Sequence, residues 1–295
     1  MIEGSQDIAD GGRVECDVCI VGGGPAGITL ARELETSGAR ILLLEAGGLH
    51  YRKRAQALLD GTVEGDSYPR LRDTRFAGLG GASELWAGWC RPLDAIDFAV
   101  RDWVPSSGWP IGRDALDPFY HRAHLACGLA RPDYDASSWE ARSGRRRLAV
   151  ADTSLTTSIF HVSPQRFGRA YRRALEESPT IRVLLEAVAL RCHAAPASDR
   201  IERLAAATLD GRRFDVHAAQ FVLATGGVEN ARLLLLSGEQ PATAIGNERG
   251  LVGKYFTEHA FLEPGAFVPA DAATDLSFYF PLRTADMPDG AAAVS

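Results

Sequence analysis

The segment Asp17-Val-Cys-Ile-Val-Gly-Gly-Gly-Pro-Ala-Gly27 constrains the fold of this chain more than any other. It predicts a strand, a glycine turn and a helix, and Ile41-Leu-Leu-Leu-Glu45 then supplies a second strand ending in an acid. Gly22, Gly24 and Gly27 occupy the three positions of G-x-G-x-x-G. The first permits a tight turn, the second lets backbone approach a pyrophosphate, and the third lets helix and strand pack closely. A helix opening at Pro25-Ala26 aims its N-terminal amides and positive dipole end at the phosphates. Glu45 stands 18 residues after Gly27, where a carboxylate accepts hydrogen bonds from ribose hydroxyls. A glycine fingerprint alone is a weak signal. With a strand-like run before it, an amphipathic run after it and the acid at this spacing, it predicts dinucleotide binding.

At 295 residues and 31.7 kDa the chain predicts one large domain or two intertwined ones. Hydrophobic residues make up 46% and charged residues 24%, an ordinary balance for a globular protein with a sizeable core. The net charge of −6 argues against a general nucleic-acid surface, and Arg145-Arg-Arg147, following Ser143-Gly144, reads as a solvated loop. No apolar run approaches the roughly 20 residues of a membrane span. The acidic start Met1-Ile-Glu-Gly-Ser-Gln-Asp carries no secretory pattern. Five cysteines, odd in number and without framework spacing, suit a reducing, cytoplasmic compartment. Cys16 and Cys19 form C-x-x-C inside the first predicted strand. Residues three apart on a regular strand face opposite ways, so neither a metal pair nor a redox pair is expected there.

Along the chain, residues 1–13 read as a frayed polar leader. Val14–Val21 and Arg40–Leu44 read as buried parallel strands, because their apolar residues run on instead of alternating. Ile28, Leu30, Ala31 and Leu34 give the helix between them an apolar face that ends at Ser37-Gly38. Residues 47–80 predict loop with short helices. A helix is expected over Ile111–Leu129 with Asp114 as N-cap, and irregular chain over 130–158. Phe167–Leu175 predicts a helix, and Ile181–Arg191, Ile201–Leu209 and Arg212–His217 predict strands, the last two joined at Asp210-Gly211. Phe221-Val-Leu-Ala224 is a further short strand that runs into Thr225-Gly226-Gly227 and a helix, a second strand–glycine turn–helix unit.

Four segments in order resemble the glucose–methanol–choline family of flavin oxidoreductases. They are Asp17–Gly27 with Leu43-Leu-Glu-Ala-Gly-Gly48; Gly78-Leu-Gly-Gly-Ala-Ser-Glu-Leu-Trp-Ala-Gly-Trp-Cys-Arg-Pro-Leu-Asp94, leading to Asp97-Phe98 and Trp109-Pro110; Phe221–Leu236; and Gly250–His259. The likeness is strongest to the sugar- and polyol-oxidising branch. It implies FAD as the dinucleotide, with Gly22, Gly24, Pro25, Ala26 and Gly27 at the pyrophosphate and Glu45-Ala46 at the adenosine ribose. It further implies Gly80, Gly81, Ala82 and Ser83 along the pyrophosphate and isoalloxazine, Val188 meeting adenine through its backbone, and Ala224, Thr225 and Gly226 closing over the cofactor. The implied fold is α/β, a doubly wound Rossmann-like FAD domain built from residues 14–105 and 182–262. Residues 106–181 and 263–295 would then form an incomplete α+β substrate domain.

Two departures from the family qualify this. In pyranose oxidases the second position after the serine of the Gly80–Ser83 loop is a histidine that binds flavin covalently; here it is Leu85, so FAD is expected to be non-covalent. The family's late segment, which carries the histidine acting on the substrate hydroxyl, has no counterpart before Ser295. The catalytic base is therefore left unassigned among His50, His121, His124, His161, His193, His217 and His259. His121 and His124, three apart on a predicted helix, read as a half-exposed face and not as metal ligands, and no metal site is expected.

Gly250-Leu-Val-Gly-Lys254 is no P-loop, since no Ser or Thr follows the lysine, and there is no G-x-S-x-G elbow. Trp86, Trp89, Trp103 and Trp109 are expected to pack around the flavin loop, with an aromatic platform for a sugar ring as the alternative. Phe278–Leu282 would start a substrate-domain sheet and expose an apolar patch.

The leading expectation is FAD-dependent oxidation of an alcohol, in a sugar or polyol, by hydride transfer to flavin N5. The partners expected are that small-molecule substrate and a complementing C-terminal subunit. The alternatives are FAD binding without turnover, as a fragment or split-complex subunit, and a flavin enzyme of another class, such as a hydroxylase, that shares only Gly22–Gly27 and Glu45.

Overall fold

The computed structural model describes residues 1–65, 68–130, 132–149, 155–195, 200–240, 243–258, 268–269, 271–280 and 290–294. His259, Pro281 and Leu282 lie outside the described residues. The chain forms two compact units, Met1–Trp86 with Arg166–Lys254 and Ala87–Gln165 with Tyr255–Ser295.

In chain order the strands are β1 (Ile2–Gly4), β2 (Gly12–Val21), β3 (Ile41–Leu44), β4 (Trp89–Cys90), β5 (Thr157–Val162), β6 (Ile181–Leu185), β7 (Ala187–Ala194), β8 (Ile201–Thr208), β9 (Arg213–Leu223) and β10 (Gly290–Val294). The helices are α1 (Pro25–Leu34), α2 (Lys53–Gln56), α3 (Ala95–Phe98), α4 (Asp117–Ala126), α5 (Ala136–Ser143), α6 (Phe167–Ala170), α7 (Arg172–Glu177) and α8 (Gly227–Leu236).

The first unit is built on one sheet in the order β1-β6-β3-β2-β9-β8-β7. The five strands from β1 to β9 are mutually parallel, while β8 runs antiparallel to both β9 and β7. Every residue of β3 is buried, as a central parallel strand covered on both faces requires. The chain leaves β2 toward β3 on one side, and β9 returns on the other, so the C-terminal end of β2 is a topological switch point. Open α/β sheets bind ligands at such crevices. This is the α/β class read from the sequence.

Local expectations fail where pairing partners lie far away in sequence. Residues 1–13 are no frayed leader: Ile2–Gly4 adds a parallel strand beside β6, and Arg182 pairs with Glu3 across it. The strand expected over Ile181–Arg191 breaks at Glu186, which has φ 58°; β6 stays with β3 while β7 crosses to the opposite edge of the sheet. Arg212–His217 and Phe221–Ala224 are one strand, β9, because β2 supports it along its length from Gly12↔Phe214 to Val21↔Leu223. The Asp210-Gly211 turn is present, with Gly211 at φ 97°.

β2 changes face midway while keeping an unbroken register with β9. The amides of Asp17 and Val18 both donate to the Arg40 carbonyl, at 2.9 and 3.2 Å. Val14 and Cys16 share a core cluster with Cys19 and Val21, so the side-chain alternation does not run straight through the strand. The expectation that Cys16 and Cys19 face opposite ways is thereby corrected: both enter one core cluster, where the Cys16 thiol donates to the His217 carbonyl at 3.9 Å.

The second unit holds the antiparallel sheet β10-β5-β4. The helix expected over Ile111–Leu129 begins later, at Asp117, after a 3-10 turn over Arg113–Leu116, and Asp114 caps no helix. Within 130–158, read as irregular, α5 forms because Asp135 accepts the Ser137 amide at 2.6 Å and Trp139 has a core to enter. Ile159 of β5 and Phe278 complete that core, packed by Tyr134 and Tyr279. Phe278 is therefore fully buried and not part of an exposed patch, while Phe280 is exposed. Among the described residues, no helix is long and apolar enough to cross a membrane.

Candidate flavin-binding site

The glycine turn after β2 is held from three sides. Gly22 sits at φ 110°, its amide donates to the Leu44 carbonyl at 2.7 Å, and a β-carbon on it would lie 2.5 Å from the Ala224 carbonyl oxygen. The ends of β2, β3 and β9 therefore converge on this residue, and only glycine satisfies both the conformation and the approach. A β-carbon on Gly27 would lie 1.9 Å from the Gly22 carbonyl oxygen, so α1 seats directly on the turn. Gly24 is the N-cap of α1 and Pro25 its first residue. Among the described residues, the amides of Gly24, Ala26 and Gly27 have no hydrogen-bond acceptor. Three free donors at a helix N-terminus form an anion cradle.

Glu45 closes the other side. Its residue is 7% exposed, and its carboxylate accepts the Gly23 amide on Oε2 and the Gly47 amide on Oε1, each at 2.8 Å. Burial raises its pKa to about 7 against the lowering by these backbone donors. Ala46 follows directly, and a β-carbon on Gly47 would lie 2.2 Å from the Ala77 carbonyl oxygen, which draws residues 77–81 across the turn.

That segment forms the roof. Leu79 donates to the Gly48 carbonyl at 3.0 Å and Gly80 to the Gly23 carbonyl at 2.7 Å. A β-carbon on Gly81, at φ 52°, would lie 2.8 Å from the Gly24 Cα. Gly80 and Gly81 thus lie against the fingerprint turn. Ser83 is buried, its hydroxyl donating to the Gly80 carbonyl at 2.6 Å and accepting the Phe167 amide at 3.0 Å. Its side chain orders the roof and anchors it to α6. Glu84 folds back over Gly80, and its Oε1 is a buried acceptor without a partner.

Ala224 donates its amide to the Val21 carbonyl at 2.7 Å, and the Thr225 amide and hydroxyl both donate to Asn230 Oδ1. Gly226, at φ 87°, is the N-cap of α8. Val188 lies further off, in β7 opposite Ala207. The structure therefore brings Gly22–Gly27, Glu45-Ala46, Gly80–Ser83 and Ala224–Gly226 to one crevice at the end of β2.

Two further contacts were missed in the sequence. Arg75 and Glu229 pair at 2.6 Å with both side chains largely buried, tying the roof segment to α8. Gln56 donates to the Arg72 and Arg75 carbonyls and accepts the Ala77 amide. Nothing in the local sequence signals either, because their partners are set by the fold.

The four tryptophans do not gather. Trp86 meets Phe167 edge-on in the first unit, whereas Trp89 packs on Phe160 and Trp109 on Phe98 in the second, and Trp103 is exposed. His124 is buried and not half-exposed, with Nε2 2.6 Å from the Tyr134 hydroxyl and Nδ1 3.1 Å from the Ala130 carbonyl. His161 is buried beside it, Nε2 2.8 Å from the Asp133 carbonyl. Among the described residues, no group of three or more His, Cys, Asp or Glu side chains is arranged to hold a metal.

Residues 17–282, which include this crevice, match the family described as FAD dependent oxidoreductase. The chain belongs to that family, and its fold is the one expected from its resemblance to the glucose–methanol–choline oxidoreductases. Among solved structures it is similar to pyridoxine 4-oxidase from Mesorbium loti, with a TM-score of 0.51 and 22% identity over 76% of this chain and 52% of that one. It is also similar to formate oxidase of Aspergillus oryzae RIB40, with a TM-score of 0.48, 20% identity, and 78% and 48% covered. Among curated proteins, long-chain-alcohol oxidase FAO4A of Arabidopsis thaliana is 25% identical over 138 residues, 42% of this chain and 19% of that protein. The chain thus spans about half the length of the solved structures it resembles, and matches about a fifth of the curated relative.

Proposed function

We propose that this chain binds FAD non-covalently and carries the flavin-binding half of an oxidoreductase acting on the CH–OH group of an alcohol. The observation that carries the reading is the set of three free amides at Gly24, Ala26 and Gly27, flanked by the buried Glu45 carboxylate and roofed by Gly80-Gly81. The amides fit a pyrophosphate and the carboxylate a ribose diol. The unpartnered Glu84 Oε1 under the roof is a further acceptor for a bound group. FAD, when bound, supplies the hydride acceptor at N5.

The protein's part is to hold and orient. Gly22–Gly27 fix the phosphates, Glu45-Ala46 the ribose, Val188 the adenine through its backbone, Gly80–Ser83 the roof, and Ala224–Gly226 the near wall. Leu85, exposed in the roof segment, cannot form a covalent flavin link, which supports dissociable FAD. A sugar or polyol is the substrate class we favour, from the family branch the sequence resembles. The similarity to a long-chain-alcohol oxidase supports an alcohol more broadly. No histidine is assigned as base. His124 and His161 already spend ring nitrogens on Tyr134, Ala130 and Asp133.

The second reading is FAD binding without turnover, with a complementing C-terminal chain supplying the base. It is favoured by the engagement of both buried histidines, His124 and His161, in hydrogen bonds within the second unit. Five free cysteines suit the reducing cytoplasmic setting we assign.

A visible spectrum of the purified chain, taken before and after anaerobic addition of sugars, polyols and aliphatic alcohols, tests these readings. Bleaching of a flavin band by one alcohol supports the oxidoreductase. A band that never bleaches supports binding alone, and no band after FAD is supplied overturns both. Yellow colour retained on an acid-precipitated pellet would overturn non-covalent binding, and bleaching by NADPH would point to a hydroxylase-type reaction instead.

A further inference from the structure

Strand β4 and the end of helix α4 carry two cysteines that the flavin site does not use. Cys90 pairs with His161 in the antiparallel ladder between β4 and β5, and Cys127 is the C-cap of α4. Ser163 straps the two backbones together: its hydroxyl donates to the Cys127 carbonyl at 2.6 Å, and its amide donates to the Gly88 carbonyl at 2.7 Å. Gly88, at φ 81°, makes this approach feasible, since a β-carbon there would lie 2.3 Å from the Ser163 carbonyl oxygen. Cys90 Sγ lies 3.3 Å from the same Gly88 carbonyl. Beyond Cys127 the chain turns at Gly128, φ 63°, where a β-carbon would meet Gln165 Nε2 at 2.3 Å. Both cysteine backbones are therefore fixed in one neighbourhood by the Ser163 strap, and each thiol is near enough to shift the titration of the other.

This pair differs from the dithiol of β2. Cys19 has no solvent exposure and Cys16 is 8% exposed, whereas Cys90 and Cys127 are both half-buried and within reach of small molecules. The two thiols are also polarised. Their interaction holds the Cys127 thiol below its ordinary range and, together with burial, pushes Cys90 up. The lower partner supplies the attacking thiolate.

We propose that Cys90 and Cys127 form a reversible disulfide site in the second unit, closed by exchange with a low-molecular-weight disulfide such as oxidised glutathione. Cys127 thiolate attacks one sulfur of the small disulfide, whose S–S bond breaks and releases one thiolate that takes a proton from solvent. The sulfur of Cys90 loses its proton to solvent, attacks Cys127 Sγ and expels the second small thiol. Two cysteine S–H bonds become one S–S bond, and one small disulfide becomes two thiols. The closed form ties β4 covalently to the end of α4, so the redox state of the surroundings sets how tightly this unit holds together.

The test is to incubate the full chain with oxidised glutathione, alkylate under denaturing conditions, and count and map thiols by mass spectrometry. The site predicts a fall from five free thiols to three, a linked peptide joining Cys90 to Cys127, and full return to five with dithiothreitol. Cys90→Ser should leave a persistent glutathione adduct on Cys127, and Cys127→Ser should leave Cys90 unmodified. The mapping of the unsubstituted chain does not depend on either variant folding. Five thiols remaining, a link between Cys16 and Cys19 instead, or a glutathione adduct on Cys127 that persists with Cys90 present would each overturn the assignment.

Discussion

The carbonyl oxygen of Gly22 lies 1.9 Å from where a β-carbon on residue 27 would stand, so the first and third fingerprint glycines require one another. Gly27→Ala should displace α1 from the turn at a cost of about 2–4 kcal/mol and abolish flavin retention. Gly38→Ala is the control: Gly38 has φ 79° but nothing within 4 Å of an added carbon. It should cost about 1 kcal/mol from backbone conformation alone and keep flavin uptake intact. Both are read by urea denaturation and by absorbance after FAD reconstitution.

Glu45 links stability to pH. Its folded pKa of about 7 stands above the ordinary value of 4.5, so the folded state binds the proton more tightly than the unfolded chain. That contribution is fully present below about pH 4.5 and is lost as pH rises to about 7, a change on the order of 3 kcal/mol. Glu45→Gln should therefore be relatively more stable than the parent at pH 8 than at pH 4.5 when both are measured without FAD. It should also bind FAD about tenfold more weakly through loss of a charge-assisted hydrogen bond to the ribose.

Ser83 joins Gly80 to Phe167 through one buried hydroxyl. Ser83→Ala leaves the Phe167 amide without its acceptor and should cost about 1–3 kcal/mol, seen as a lower denaturant midpoint at unchanged slope. Flavin should dissociate faster from this variant, because the roof over Gly24 loses its anchor. Unchanged stability would show that Ser83 does not hold the roof.

His124 and His161 set the opposite pH dependence in the second unit. Burial lowers both from the ordinary 6.5, so the folded state favours the neutral rings. Their contribution is complete above about pH 6.5 and is lost as pH falls through the folded values. Near-ultraviolet circular dichroism from Tyr134 and Trp139 should melt at lower temperature at pH 5.5 than at pH 7.5, and His161→Gln should shrink that difference.

The sequence by itself determined the elements whose cause is local. The G-x-G-x-x-G turn, the helix opened by Pro25, the all-apolar β3 ending at Glu45 and the turn at Asp210-Gly211 each follow from residue type and spacing within a few positions. The family resemblance added Gly80–Ser83 and Ala224–Gly226 as cofactor neighbours, and tertiary structure brings both segments to the Gly22 turn. Only tertiary structure decided the rest. Ile2–Gly4 becomes a strand because β6, from the far side of the chain, offers an edge. Cys16 and Cys19 enter one core cluster because the side-chain alternation does not run straight through β2. Ser83 and Gln56 turn inward, and Arg75 finds Glu229, because buried polar groups must be paired by whatever the fold brings near. Cys90 and Cys127 meet because Ser163 draws their two backbones together. Periodicity and turn chemistry act over a few residues, whereas a change of face within a strand, a sheet edge or a buried hydrogen-bond partner depends on a segment whose arrival no local pattern encodes.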